Sequence, residues 1–126
     1  MGYSGVAAKS SREGFHSVTT RIVVDDAAAQ VEFLKTVFAA TGSFEPGRPA
    51  EIRVGDSLVM ISPAEDRDPF QAFLYVYVDD ADDTYRRALD AGARSLEEPL
   101  DTPYGDRRAM VRDPFGNIFQ IAHQLT

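Results

Sequence analysis

Apolar residues recur along this chain in two rhythms, every second position in some stretches and every third or fourth in others, and the changes of rhythm divide it into elements. The β-branched run "VTTRIVV", Val18 to Val24, predicts a strand, and the Asp25-Asp26 pair behind it stands where a helix N-cap belongs. From Ala27 to Thr41 the apolar residues Val31, Leu34, Val37 and Phe38 share one helical face, and Gly42 is expected to end that helix. "EIRV", a "GDS" turn and "LVMIS" alternate as an antiparallel pair. After the loop "PAEDRDPFQ", the run "AFLYVYV" alternates aromatic and aliphatic residues, and Asp79-Asp80 opens a second helix, Ala81 to Ala91, closed by Gly92. A Pro-containing segment, "EEPLDTPYGD", leads to two last strands, "RAMVR" and "NIFQIAH", joined by an Asp-Pro-Phe-Gly turn.

This order repeats. "IVVDDAAAQ" and "VYVDDADDT" occupy the same strand-to-helix junction in the two halves, and a hairpin closes each half, as an internal duplication requires. Residues 1–15 are small, polar and without apolar period, which predicts a flexible tail ahead of one domain over 16–126, with module one at about 17–62 and module two at about 72–124.

Composition narrows the chemistry. A chain of 126 residues buries a core without staples, and the absence of cysteine removes thiol nucleophiles, disulfides and zinc-thiolate sites. A net charge of -7 argues against a nucleic-acid surface; such a field would favour a cationic small ligand, although keeping the protein soluble is enough to account for it. Neither a membrane-length apolar run nor a signal-peptide core is visible, so a soluble, cytoplasmic protein is expected.

The segments "VVDDAAAQVEFLKTVF", "IRVGDSLVMIS", "VYVDDADDTYRRALDAGA" and above all "YGDRRAMVRDPFGNIFQIA" resemble the vicinal oxygen chelate superfamily, in its glyoxalase-like branch, over about residues 17 to 124. That superfamily includes glyoxalase I, fosfomycin-resistance enzymes, extradiol dioxygenases and bleomycin-binding proteins. The resemblance implies an α+β fold in which two βαβββ modules form an open eight-stranded cradle with the helices outside. It also implies a divalent metal held by side chains from the first and last strands of each module. Those positions fall on Thr19 and Met60 in module one and on Phe73 and Gln120 in module two. A hydroxyl, a thioether, a phenyl ring and an amide supply no anionic or imidazole donor, so neither a metal nor any other cofactor is expected. His16 and His123 stand near the ends of the domain without partners at ligand spacing.

Strand alternation extends these positions into two faces. One carries Thr19, Arg21, Val23, Leu58, Met60, Ser62, Phe73, Tyr75, Tyr77, Ile118, Gln120 and Ala122. The other, with Ile22, Val24, Val59, Ile61, Leu74, Val76, Val78, Phe119 and Ile121, is almost purely aliphatic and suits a covering of helices. The first face mixes aromatic walls with sparse polar groups, the composition of a small-molecule pocket, the other reading being that Phe73, Tyr75 and Met60 fill the cradle as core. Tyr104 and Arg107 of "YGDR" are further candidates for ligand contact, Arg107 as a forked donor, whereas Gly105 and Asp106 are read as structural. Glu51 is expected to face solvent, paired with Arg53 or a neighbour.

The expected function is therefore metal-independent binding of a small drug or metabolite, cationic or aromatic, by Thr19, Arg21, Met60, Phe73, Tyr75, Tyr77, Tyr104, Arg107 and Gln120, in a homodimer as the resemblance implies. The alternative is a metal-dependent glyoxalase-type lyase or isomerase, or a dioxygenase, with an atypical site.

Overall fold

The computed structural model describes residues 11–65 and 67–126; most of the expected N-terminal tail lies outside them. The elements follow in the order β1 (Thr20–Val24), α1 (Ala27–Phe38), β2 (Ala50–Val54), β3 (Ser57–Pro63), β4 (Phe73–Tyr77), α2 (Ala81–Asp90), β5 (Arg94–Asp101), β6 (Asp106–Arg112) and β7 (Ile118–Gln124). They build two open mixed sheets, β1-β3-β2 and β4-β7-β6-β5. In each, the first strand of the half lies parallel to the last. The class is α+β, as expected.

Among the described residues the expected eight strands are seven, because the second strand of the first half shrinks to a single bridge between Thr41 and Arg53. The sequence behind Thr41 explains this: Gly42, Pro46, Gly47 and Pro49 interrupt both pairing and donor supply. The second half keeps its counterpart, β5, although Pro99 lies inside it. β5 is an edge strand, and two register shifts absorb the proline.

Both helices start as their Asp pairs predict. Asp26 accepts from the Ala29 N–H at 3.0 Å and Asp80 from the Asp83 N–H at 3.1 Å, so the second residue of each pair is the cap. α1 ends three residues early, at Phe38, because Ala39 turns into the left-handed region at φ 56°. The helices cover the aliphatic face: Ile22, Val24, Ile61, Phe119 and Ile121 are buried in one cluster with Val31, Leu34 and Val37 of α1. Phe119 packs on Phe33 and Phe38, with ring centroids 6.2 and 5.3 Å away, so the first helix rests on the last strand.

A buried polar node makes the same connection. Gln30 of α1 donates from Nε2 to Asp113 Oδ2 at 2.9 Å and accepts at Oε1 from Asn117 Nδ2 at 2.9 Å. Asn117 Oδ1 accepts from the Ala72 N–H at 2.7 Å, and Asp113 Oδ1 accepts the N–H groups of Phe115 and Asn117. Burial pushes the Asp113 carboxyl up from the ordinary aspartate range, opposed by the Gln30 amide and the turn N–H groups. Replacement of Asp113 by Asn presents an amino group where an acceptor is required. Flipping Gln30 moves the clash to Asn117, and flipping Asn117 moves it to the Ala72 N–H. Asp113→Asn is therefore expected to lower the unfolding free energy by about 2 kcal/mol in urea titration, although it removes a buried charge.

Candidate functional site

The two faces of the sheets divide as alternation predicts. Ile22, Val59, Leu74, Val76, Phe119 and Ile121 turn to the helices, while Arg21, Met60, Phe73, Tyr75, Tyr77 and Gln120 turn to the open side. Arg21 and Met60 are register partners in the three-stranded sheet, and the Arg21 guanidinium approaches the Met60 sulfur at 3.6 Å. Thr19 lies half-buried one residue before β1. In the four-stranded sheet Gln120 stands between its register partners Tyr75 and Met110, and its amide makes no side-chain hydrogen bond among the described residues.

The densest chemistry lies beside Gln120. Tyr75 and Tyr77, two apart on β4, present their rings on the same side with centroids 5.4 Å apart. Both hydroxyls donate to one oxygen, Asp106 Oδ2, at 2.6 and 2.8 Å. The proton of Tyr75 is thereby committed, so the 3.3 Å contact with Tyr104 has the Tyr104 hydroxyl donating. Arg108 Nη1 in turn donates to the Tyr104 oxygen at 2.9 Å and is itself held by Glu97 through Nε at 3.0 Å and Nη2 at 3.1 Å. One chain of hydrogen bonds thus runs Glu97, Arg108, Tyr104, Tyr75, Asp106. The rings remain accessible: Phe73 is 64%, Tyr77 63% and Tyr104 61% exposed.

Asp106 is buried, and its backbone is fixed by Thr102: the Thr102 hydroxyl accepts the Asp106 N–H at 3.0 Å, while the Thr102 N–H and hydroxyl donate to the Asp106 carbonyl. The Tyr75 and Tyr77 hydroxyls hold its carboxyl below the ordinary aspartate range, more strongly than burial raises it. Partial burial and the bond to Asp106 push the Tyr75 hydroxyl above the ordinary phenol range.

Arg107 does not join this cluster. It points to the helix side, where Nε and Nη2 grip Asp82 at 2.9 and 3.2 Å and Nη1 reaches Asp101 at 3.1 Å, fastening α2 to β6. The cation that joins the cluster is the neighbouring Arg108, register partner of Ala122; carrying the alternation from Gln120 across the last hairpin places it on the open face. Asp106 likewise does more than cap a turn. Glu51 differs from expectation too: its register partner is Met60, so it shares the open face, where it pairs with Arg12 at 2.5 Å. His123 accepts the Ala81 N–H at Nδ1, 2.8 Å away, and so helps to start α2.

Between the edge strands β1 and β4 lies a crevice of about 280 Å³, lined by Tyr75 and Tyr77 and by Ile22, Leu34, Phe38 and Phe119 from the core. Gln120 is not among its lining residues. The mapped metal positions do not fit a divalent ion, since Thr19, Met60, Phe73 and Gln120 offer only neutral or apolar groups. Among the described residues no three His, Cys, Asp or Glu side chains converge as a metal site either. No helix among them is long and apolar enough to cross a membrane.

With this fold and site, comparison with known proteins places the chain. The family model of the Glyoxalase/Bleomycin resistance protein/Dioxygenase superfamily matches residues 14–121, and the chain belongs to that superfamily. It is similar to a proposed glyoxylase, CFP32, of Mycobacterium tuberculosis, with 36% identity over 72 residues. That match covers 56% of this chain and spans only 28% of CFP32. The protein Mb0911c of Mycobacterium bovis is 28% identical over 127 aligned positions, covering 86% of this chain and 84% of its own. Among solved structures, TioX from Micromonospora sp. ML1 superposes with a TM-score of 0.71 at 22% identity, covering 88% of this chain and 98% of TioX. A glyoxalase/bleomycin resistance protein/dioxygenase family enzyme from Burkholderia phytofirmans PsJN reaches 0.73, also at 22% identity, covering 85% and 97%. These similarities bear on fold and leave function to the residues themselves.

The tyrosine bonds make a prediction for acid titration. Because its folded value is depressed, Asp106 adds stability above the unfolded value of about 3.9, and that contribution is lost as pH falls through the folded value. In carbon-detected NMR its carboxyl carbon should titrate below an unfolded aspartate, and the Tyr75→Phe/Tyr77→Phe double variant should move the midpoint upward.

Proposed function

We propose that this protein binds a small, partly aromatic molecule, without a metal, on the open face of the four-stranded sheet. One observation carries the reading: Tyr75, Tyr77 and Tyr104 are held in fixed orientations by Asp106 and Arg108, although their rings face outward. Fixing exposed aromatic side chains costs rotamer entropy, and doing so in the folded protein removes that cost from a later binding step. Flat rings with polar rims suit a ligand that stacks and hydrogen-bonds at once. The buried carboxylate beneath them and the net charge of -7 favour a cationic or amphipathic compound.

The reading includes a homodimer. The crevice of about 280 Å³ falls just below the range of small-molecule pockets, roughly 300 to 1,000 Å³. A second copy laid over the exposed aromatics would complete a pocket of drug size. The same reading carries a cytoplasmic location.

Bleomycin, together with the small aromatic cation proflavine, provides the test. Isothermal titration should give saturable binding of at least one of them to metal-free protein, and Tyr104→Ala should weaken it at least tenfold, about 1.4 kcal/mol. Lack of binding by both, or affinity unchanged in Tyr104→Ala, overturns the reading. So does one equivalent of nickel, zinc, manganese or iron in protein purified without chelator, which would favour the metal-dependent alternative.

A further inference from the structure

The open face of the three-stranded sheet carries a different chemistry. Where β1 and β3 end, Arg21, Ser62 and Pro63 meet the loops bearing Arg48, Pro49, Glu65 and Arg67 around a cavity of about 210 Å³. Among the described residues lining this hollow three guanidinium groups stand against one carboxylate, in a chain with 13 basic and 20 acidic residues. Elsewhere Arg12, Arg86, Arg87, Arg107 and Arg108 pair with carboxylates, while Arg53, Arg94 and Arg112 lie outside the hollow without one among the described residues. Among the described residues Arg21, Arg48 and Arg67 pair with none, and the Met60 sulfur is the sole side-chain partner of Arg21.

Ser62 supplies an independent sign. It is only 6% exposed and lines the hollow. Its hydroxyl is the one buried side-chain polar atom without a hydrogen-bond partner among the described residues. A buried donor left unmatched is costly, so such groups mark a missing partner. Ser62 is register partner of Val23, and an alanine or valine would fill this strand position without an orphaned hydroxyl. The hydroxyl lacks an acceptor and the guanidinium groups lack an anion, and one oxyanion would supply both.

We infer that this hollow binds a small oxyanion, the carboxylate or phosphate group of a metabolite, with Arg21 and Arg48 as charged donors and Ser62 as a neutral one. Planar guanidinium groups match both oxyanions in paired donation, and the prolines at 49 and 63 stiffen the walls that present them. The site lies on the other sheet from the tyrosine cluster, and its occupation does not depend on the aromatic ligand.

Inorganic phosphate and acetate, titrated separately at constant ionic strength against a chloride control, provide the probes, with arginine side-chain NMR signals as readout. Saturable binding is expected for at least one of them, tighter phosphate assigning a phosphate-bearing ligand and tighter acetate a carboxylate. Arg21→Gln and Arg48→Gln should each weaken it at least tenfold. Ser62→Ala should weaken it several-fold while leaving thermal stability equal or higher. The inference falls if neither anion exceeds the chloride effect, if both arginine variants bind as the wild type does, or if Ser62→Ala changes stability without changing affinity. None of these outcomes alters the bleomycin and proflavine titrations, so the two sites fail or stand separately.

Discussion

The fold depends on the buried contact between Gln30 and the Asp113 to Asn117 turn. Gln30 belongs to the first helix and the turn to the last hairpin, so one amide fastens the two halves of the chain. Every polar atom of the node has an assigned direction of donation, and the network ends at the Ala72 N–H just before β4. This sets where β4 starts relative to β7, and hence that Tyr75 stands beside Gln120. Phe119, wedged against Phe33 and Phe38, supplies apolar area to the same junction. Apolar burial provides most of the free energy; the hydrogen bonds exclude other registers, because a one-residue slip would turn the tyrosines into the core.

Much of this was legible in the sequence. Alternation from Gln120 separates the aliphatic face from the mixed one because both central strands are covered on one side only. The repeated Asp pairs mark both helix starts, since a cap acts locally and needs no tertiary partner. β5 escaped the periodicity because Pro99 and two register shifts break its alternation, which an edge strand tolerates. The early end of α1 was hidden because Ala39, not the expected Gly42, takes the left-handed turn.

The candidate site was legible in its strands and obscure in its turn. Phe73, Tyr75, Tyr77 and Gln120 follow from a period of two, whereas Arg107 and Arg108 differ by one residue and therefore by a whole face. Asp106 gains its importance from two tyrosines about thirty residues earlier in the chain, a pairing that only the β4-β7-β6 order brings together. Glu51 shares the open face through its pairing with Met60, a register that the short "EIRV" run alone does not specify. At the four positions where the resemblance implies metal ligands, this chain has a hydroxyl, a thioether, a phenyl ring and an amide. Its ordered chemistry lies in three tyrosines, the carboxylates of Asp106 and Glu97, and the guanidinium of Arg108.

The central claim is that the ligand meets those tyrosines from the open side. Amide chemical-shift mapping with saturating bleomycin tests it most directly. The account predicts perturbations clustered at Phe73 to Tyr77, Tyr104 to Arg108 and Ile118 to Gln120, with the exposed sides of both helices unaffected. Perturbations confined to the helix side of the sheets, or none at saturating ligand, would contradict it.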